Sequence, residues 1–178
     1  MTECTFIYRN ISYYRNINLV SGLDLQLHGQ LRVFTHLLSS ADNGLYSCTI
    51  FLDFSKAFDT VNHNMLFDKF YHNFGIRGIP LQLFRSYLSN RKQFVKLENA
   101  KSGLADISNG VPQGSVLGPL LFIMYINDLP KSSAFYTVLY ADDTYLCLSH
   151  KNLDDLQHMV NVELIKVDNW LRLCLQNF

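Results

Sequence analysis

Residues 134–149 read AFYTVLYADDTYLCLS, in which two adjacent acids, Asp142 and Asp143, interrupt an otherwise alternating apolar strand. A hairpin turn is polar by default and Asp is a common turn residue, so the pair fits a solvated tip between two strands. It also fits a site for a hard cation such as magnesium, which takes oxygen ligands and often binds one or two carboxylates together with substrate phosphates. The second interpretation requires another acid nearby in space.

Composition and charge indicate one globular domain or a piece of one. The chain has 178 residues, of which 48% are hydrophobic and 17% charged. Fifteen basic residues balance fifteen acidic ones, so a polymeric phosphate ligand would have to be held by local basic patches or by metals. The chain shows no secretory signal and no apolar stretch of the roughly 20 residues that span a bilayer. These features predict an intracellular protein, in the cytoplasm or the nucleus, without a membrane partner.

The cysteines agree with that location. They are scattered and form no CxxC pair, which fits a reducing compartment and argues against the usual zinc spacings. We predict buried thiols at all four positions: Cys4, Cys48, Cys147 and Cys174.

Apolar patterning divides the chain near residue 45. Residues 1–44 are weakly patterned, whereas the run from Cys48 to Asp53 is almost continuously apolar, as expected of a strand buried on both faces. The predicted elements that follow are a helix from a cap at residues 60–63 to Gly75, a helix after Pro80, strands at 93–97 and 104–107 around a turn containing Gly103, a loop at 109–115, an apolar helix at 116–128, the strand pair around the two acids, and a helix at 153–173. This order predicts an α+β fold with helices packed on one face of an antiparallel sheet.

A third acid, Asp53, ends the predicted strand that begins at Cys48. If the strand of Asp53 neighbours the strand of Asp142 and Asp143, all three carboxylates meet at one edge of the sheet. Three crowded anions are unfavourable without a counter-charge, and a divalent cation resolves this. Asp59 is expected to support the following turn instead.

Three motifs together resemble the reverse transcriptases of non-LTR (LINE-like) retrotransposons. They are FLDFSKAFDTV at 51–61, GVPQGSVLGP at 110–119 and YADD at 140–143, joined by SYLSNR at 86–91 and YINDLP at 125–130. The resemblance implies a polymerase palm with part of the fingers and no thumb over residues 45–173. Residues 1–44 show no clear match, and residues 174–178 are expected to be a truncated end.

The resemblance also implies a metal site. Asp53 and Asp142 would ligate two magnesium ions, with manganese as an alternative, while the backbone carbonyl of Phe54 completes one site and Asp143 closes the acidic cluster. One ion would lower the pKa of the primer 3′-hydroxyl, and the other would neutralise the triphosphate and the departing pyrophosphate. The implied partners are an RNA template, a DNA primer and deoxynucleoside triphosphates.

Further residues are implied at the nucleotide and template site. Phe58 would sit under the nucleotide sugar and exclude a 2′-hydroxyl, although the residues alone favour a core phenylalanine beside Phe51 and Phe54. Glycines in the 109–115 loop allow a close approach of the backbone, and the Gln113 amide offers donors and an acceptor. The remaining members of this implied site are Gly114, Ser115 and Tyr140.

Two hypotheses about the polypeptide remain open from sequence. In the first, the chain is the catalytic palm of an RNA-directed DNA polymerase and belongs to a larger retroelement protein. In the second, it is a catalytically incompetent remnant that at most binds metal or nucleic acid, since the basic fingers motifs are not found in residues 1–44. The oligomeric state is undecided by the sequence.

Overall fold

The fold is that of a computed structural model, which describes residues 12–14, 27–54, 56–98, 100–140 and 143–175. Within these ranges the chain alternates between helices and short strands. In chain order the elements are β1 (Ser12–Tyr14), α1 (Leu27–Asp42), β2 (Tyr46–Asp53), α2 (His63–His72), α3 (Gly78–Leu88), β3 (Lys92–Gln93), β4 (Lys96–Leu97), β5 (Ala100–Lys101), β6 (Ala105–Asp106), α4 (Leu117–Ile126), a 3₁₀ turn (Leu129–Lys131), β7 (Tyr136–Tyr140), β8 (Asp143–His150) and α5 (Leu153–Leu175).

The described chain divides into two compact units. The first, called the sheet unit, comprises Met1–Ser55 and Asp128–Leu173. The second, called the helix–ribbon unit, comprises Lys56–Asn127 and Cys174–Phe178. The mixture of helices with an antiparallel sheet agrees with the predicted α+β class.

One antiparallel sheet of four strands, in the order β1-β2-β8-β7, is the centre of the sheet unit. Residues 47–50 of β2 are all buried, as predicted for a strand covered on both faces. Toward its end the strand opens to solvent, because Phe51 is 38% exposed and Asp53 is also exposed. The apolar run therefore anchors the strand, and its last residue is accessible to a ligand.

Helix α1 covers the sheet face that carries Asp143. Val33 of α1 belongs to a buried cluster with Tyr145 and Cys147, and side chains two residues apart on a strand share a face. A Cβ added to Gly29 would lie 3.0 Å from Cβ of Tyr140, so the helix approaches β7 closely at that point. Sequence patterning did not predict this helix within the weakly patterned N-terminal segment.

Two buried thiols, Cys48 and Cys147, lie on neighbouring central strands of the sheet unit and on opposite faces of the sheet. Cys48 and Cys147 are each 0% exposed, and Thr49 donates a hydrogen bond from Oγ1 to Sγ of Cys147 at 3.6 Å. Burial raises the pKa of Cys48 to about 11, and the charge of Cys147 adds to this effect. The prediction of buried thiols is confirmed for these two and for Cys174, whereas Cys4 lies outside the described residues.

A buried carboxylate ties α5 to the start of β7. Glu163 is 8% exposed, accepts the backbone N–H of Ala134 at 2.7 Å and accepts a hydrogen bond from Nζ of Lys166 at 2.7 Å. The bond from Lys166 lowers the pKa of Glu163 most, and the backbone N–H lowers it further. The ionised form of this side chain is therefore the one that the fold stabilises.

Helices α2 and α4 form the core of the helix–ribbon unit around Leu66, Phe70 and Tyr125, all fully buried. The Asn62 side chain caps α2 by accepting the N–H of Met65 at 3.1 Å, as the predicted cap at 60–63 requires. The helix ends at His72, earlier than the predicted Gly75. Helix α3 begins at Gly78 instead of after Pro80, because a proline is tolerated within the first helical turn.

A two-stranded ribbon follows α3. Residues 92–106, called the ribbon below, pair β3 with β6 and β4 with β5, as the predicted pair of short strands requires. The predicted turn position is wrong: the chain reverses between Leu97 and Ala100, with Glu98 at a φ of 46°, and Gly103 lies in the returning half. Every described residue of the ribbon is exposed, so the ribbon has no buried core and is held by strand pairing and by contacts between exposed side chains.

Candidate active site

The sheet unit places a pair of carboxylates opposite each other. Asp53 is the last residue of β2 and Asp143 is the first residue of β8, and the register of the two strands pairs them directly. Tyr140, the last residue of β7, is paired with Asp143 on its other side. Directly opposed residues of antiparallel strands share a face, with Cβ atoms about 4.5–5.5 Å apart. Asp53, Asp143 and Tyr140 therefore line one edge of the sheet.

Of the other two predicted members of the metal site, Asp142 and Phe54, only Phe54 lies in the described part of the chain. Asp142 lies outside the described residues, as does Ala141. Phe54 follows β2 directly and is half-buried. Within the described ranges, which omit Asp142, no three His, Cys, Asp or Glu side chains come together as a metal site.

The charges at this edge suit a divalent cation. Like charges directly opposite each other on paired strands are destabilising, and a cation between them reverses the sign of that interaction. The charge of Asp143 also acts on its neighbour: burial raises the pKa of Tyr145, Asp143 raises it further, and a hydrogen bond with Gln30 opposes both. Two hard oxygen donors on one face match the ligand preference of magnesium.

The helix–ribbon unit holds the other predicted residues on two interlocked loops. The N–H of Gly110 donates to the carbonyl of Val61 and the N–H of Val111 donates to the carbonyl of Phe58, both at 2.7 Å. Gly110 has a φ of 87°, and a Cβ there would lie 3.0 Å from backbone atoms of Phe58 and Asp59. Only glycine satisfies both conditions, so the first glycine of the 110–119 motif is required by the junction itself.

The junction positions Phe58 and Gln113. The Gln113 side chain donates from Nε2 to Oδ1 of Asp59 at 3.1 Å, so the carboxylate that was expected to support the turn also orients this amide. The half-buried Phe58 ring lies 5.3 Å from the Phe122 ring, which means that part of its surface packs on α4. Gly114 has a φ of 74° with open space around it.

Ser115 acts as the local cap of α4. Its hydroxyl donates to the carbonyl of Pro112 at 2.7 Å and accepts the N–H of Gly118 at 3.0 Å. A Cβ on Gly118 would lie 2.6 Å from the Pro112 carbonyl oxygen, so this glycine permits the tight entry into the helix. The contacts of Ser115 in the described structure are thus made with its own loop.

A cavity of about 620 Å³ opens beside these loops and is lined within the helix–ribbon unit by Gln113, Asp59 and Asp106 together with two cations, Lys56 and Arg91. Neither cation was predicted from the sequence as a site residue. Lys56 adopts a φ of 55°, which is uncommon for a lysine, in the turn within the first motif where the N–H of Asp59 donates to the carbonyl of Lys56 at 2.9 Å. The signal was present, since both residues lie inside quoted motifs, but nothing in their spacing shows that they share a cavity.

The fold and these donors define an α+β protein with a candidate divalent-cation site and a polar, cation-lined cavity. The sequence model of the family described as reverse transcriptase (RNA-dependent DNA polymerase) matches residues 7–173, and the chain belongs to this family. The match includes most of the N-terminal segment to which sequence patterning gave no assignment.

Relatives of the chain come from mobile elements of flies. It is 33% identical over 167 residues to the RNA-directed DNA polymerase from mobile element jockey of Drosophila melanogaster, covering 85% of this chain and 17% of that protein. It is 39% identical over 106 residues to the probable RNA-directed DNA polymerase from transposon X-element of the same fly, covering 60% of this chain and 11% of that protein. The chain thus spans about a sixth or less of these relatives' length. The predicted identity, a non-LTR reverse transcriptase domain, is confirmed.

Family membership bears on the cofactor and the partners only in general terms. Reverse transcriptases generally use divalent metals, nucleic-acid templates and nucleotide substrates. Among the helices in the described part of the chain, none combines the length and the apolar character needed to cross a membrane.

Proposed function

We propose that this chain is the catalytic core of an RNA-directed DNA polymerase, which adds deoxynucleotides to the 3′-hydroxyl of a DNA primer on an RNA template. The observation that carries the proposal is the pair of opposed carboxylates, Asp53 and Asp143, at one edge of the antiparallel sheet. The relatives, which are RNA-directed DNA polymerases or probable ones by name, support the reaction type. In this proposal residues 45–173 are the polymerase palm with part of the fingers.

Asp53, Asp142 and Asp143 would hold two magnesium ions, or manganese in their place, with the backbone carbonyl of Phe54 as a further ligand. When bound, such ions lower the pKa of the primer hydroxyl and neutralise the triphosphate and the leaving pyrophosphate. The chain's own contribution is positional, because the register of β2 with β8 fixes two carboxylates on one face of the sheet. Tyr140 would border the same site from β7.

The interlocked loops would bind the nucleotide and the template base. Asp59 holds the Gln113 amide, which leaves the amide oxygen to accept a hydrogen bond from a base or sugar. Gly114 would let the backbone approach the nucleotide, and Ser115 would shape the same loop through its cap of α4. Lys56 and Arg91 supply the positive charge that a phosphate in the cavity requires.

The test is primer extension on an RNA template with magnesium and deoxynucleotides. The parent chain is compared with Asp53→Asn and Asp142→Asn, and with Asp42→Asn as a matched control. Asp42 is an exposed acid of the sheet unit at the end of α1, so its substitution removes the same charge without touching the carboxylate pair. We expect product from the parent and the control, and none from Asp53→Asn or Asp142→Asn.

Product from Asp53→Asn at the parental rate would refute the assignment of the carboxylates. Absence of product from the folded parent would refute polymerase activity of the chain on its own. Circular dichroism of all four proteins separates loss of activity from loss of fold.

A further inference from the structure

The ribbon carries positive charge and an aromatic ring on an exposed surface. Lys96 is paired directly with Lys101 in the register of β4 and β5. Nζ of Lys101 lies 4.0 Å from the centre of the Phe94 ring, which is 47% exposed. Phe94, Lys96 and Lys101 thus form one contiguous group, called the basic–aromatic group below.

The direct pairing of Lys96 with Lys101 is unfavourable in the isolated protein, although Lys101 also contacts the Phe94 ring. Like charges directly opposite on paired strands are destabilising, and a two-stranded ribbon without a core is marginally stable in water. The other lysine of the ribbon strands differs, because Nζ of Lys92 lies 3.6 Å from Oδ1 of Asp106. The basic–aromatic group is therefore the part of the ribbon whose charge a polyanion would compensate.

The charge of the helix–ribbon unit supports an anionic partner for this unit. The net charge of the protein is zero, yet residues 56–127 contain eight lysines and arginines against four acids. Combined positive charge and exposed aromatic rings are the features with which proteins bind single strands, because phosphates meet the cations and bases stack on the rings. Protein–protein interfaces are depleted in lysine, so two adjacent lysines beside a ring favour a nucleic-acid strand over a folded protein partner.

The base of the ribbon lies at the cavity beside the interlocked loops. Residues at its base, Arg91, Gln93 and Asp106, line the same cavity as Gln113. A strand lying on the basic–aromatic group would therefore lead into the cavity where the nucleotide is proposed to bind.

We propose that the basic–aromatic group is a binding surface for single-stranded nucleic acid, on which one base stacks against Phe94 while Lys96 and Lys101 contact phosphates. The inference rests on the proposed function, since the strand would be the unpaired template ahead of the nucleotide site. Its test uses binding alone and needs no turnover.

The experiment measures fluorescence anisotropy of a labelled, unstructured RNA of about 20 nucleotides over a series of potassium chloride concentrations, with EDTA present. The variants are the double substitution Lys96→Gln with Lys101→Gln, and Phe94→Leu. Controls are Lys131→Gln with Lys151→Gln, two exposed lysines of the sheet unit, and Leu104→Ala, an exposed apolar residue of the ribbon.

The two kinds of variant should differ in how they lose affinity. Removing both lysines should reduce the slope of log affinity against log salt by about 1.4, because each phosphate contact on a single strand contributes about 0.7. Phe94→Leu should weaken binding by roughly 5- to 150-fold with the slope unchanged, since stacking is insensitive to salt. The controls should match the parent.

Affinity and slope that stay at parental values in the lysine variant would overturn the inference, as would an equal loss in the lysine control. Self-association of the parent that the ribbon variants abolish without any change in RNA affinity would assign the ribbon to an interface between copies instead. Primer extension separates the two proposals: a parent that extends primers while the ribbon variants bind RNA normally refutes only this inference. A parent that binds RNA through the ribbon but extends nothing refutes only the polymerase.

Discussion

Substitution of Asp53 by Asn should change the stability of the protein in opposite directions with and without magnesium. Without the ion, Asp53 and Asp143 face each other as like charges, a destabilising cross-strand arrangement; we take its cost to be of the same size as a favourable cross-strand pair, about 0.2–1 kcal/mol. Asp53→Asn removes this repulsion, so the free energy of unfolding in EDTA should rise by up to about 1 kcal/mol. For a chain of this length that corresponds to a melting temperature up to about 4 °C higher.

Magnesium should reverse the order. An ion that binds the folded state alone stabilises it by about 2.7 kcal/mol at a concentration 100 times its dissociation constant. Asp53→Asn loses one anionic ligand and should lose most of that gain. In saturating magnesium the parent should therefore be the more stable protein by more than about 1 kcal/mol, and Asp143→Asn should behave as Asp53→Asn does.

The assay is urea denaturation in EDTA and across a magnesium titration, with Asp42→Asn as the control. The control can shift stability through its position at the end of α1, but by the same amount in both media. The informative quantity is the difference between the two media, so such constant effects cancel. A magnesium response in Asp53→Asn equal to that of the control would refute a cation site at the opposed carboxylates.

Four further outcomes are expected. Gly110→Ala should lower the free energy of unfolding by at least about 2 kcal/mol, whereas Gly114→Ala, also at positive φ but in open space, should cost only about 1–2 kcal/mol; urea melts compare them. Because the folded pKa of Glu163 is lowered, its contribution to stability is present above about pH 5 and lost as pH falls through the folded pKa, so Glu163→Gln should show a shallower loss of stability toward pH 3. Cys48, with a pKa of about 11, should resist iodoacetamide at pH 8 until the protein unfolds, as mass spectrometry would show; native labelling would contradict its burial. Phe58→Val should raise incorporation of ribonucleotides relative to deoxynucleotides in primer extension, and an unchanged ratio would leave Phe58 as a packing residue of α4.

The elements that sequence predicted well are those whose side chains meet a core. β2, the β7–β8 hairpin and α5 have apolar residues at strand or helix periods, and that pattern is imposed by burial. The ribbon turn was misplaced because Gly103 is the obvious turn residue, while the structure turns with Glu98 in the left-handed region. Glutamate has no intrinsic preference for the left-handed region. The conformation of Glu98 therefore follows from the pairing of β4 with β5 and cannot be predicted from the local sequence.

The candidate site likewise combines residues that the sequence pattern predicts with contacts that only the fold creates. Asp53 could be identified because it ends an apolar run, and pairing with the later acids followed if the two strands were neighbours. The hydrogen bond between Gln113 and Asp59 joins residues 54 positions apart and has no periodic signal. Lys56 and Arg91 could be placed in one cavity only after the two loops were seen to interlock through the Gly110 and Val111 amides.

The charge balance of the chain is misleading when it is read as a single number. The residues of the sheet unit include eleven acids against seven lysines and arginines, and residues 56–127 of the helix–ribbon unit reverse that ratio with eight cations against four acids. A neutral total therefore conceals an acidic unit suited to cations and a basic unit suited to phosphates. Polymerisation needs both, since metal ligands must repel phosphates in the absence of metal while the template and triphosphate require local positive charge. Segregation of charge between two units would satisfy both requirements of the proposed reaction with no net charge, so the whole-chain charge is a poor guide to the nucleic-acid binding proposed above.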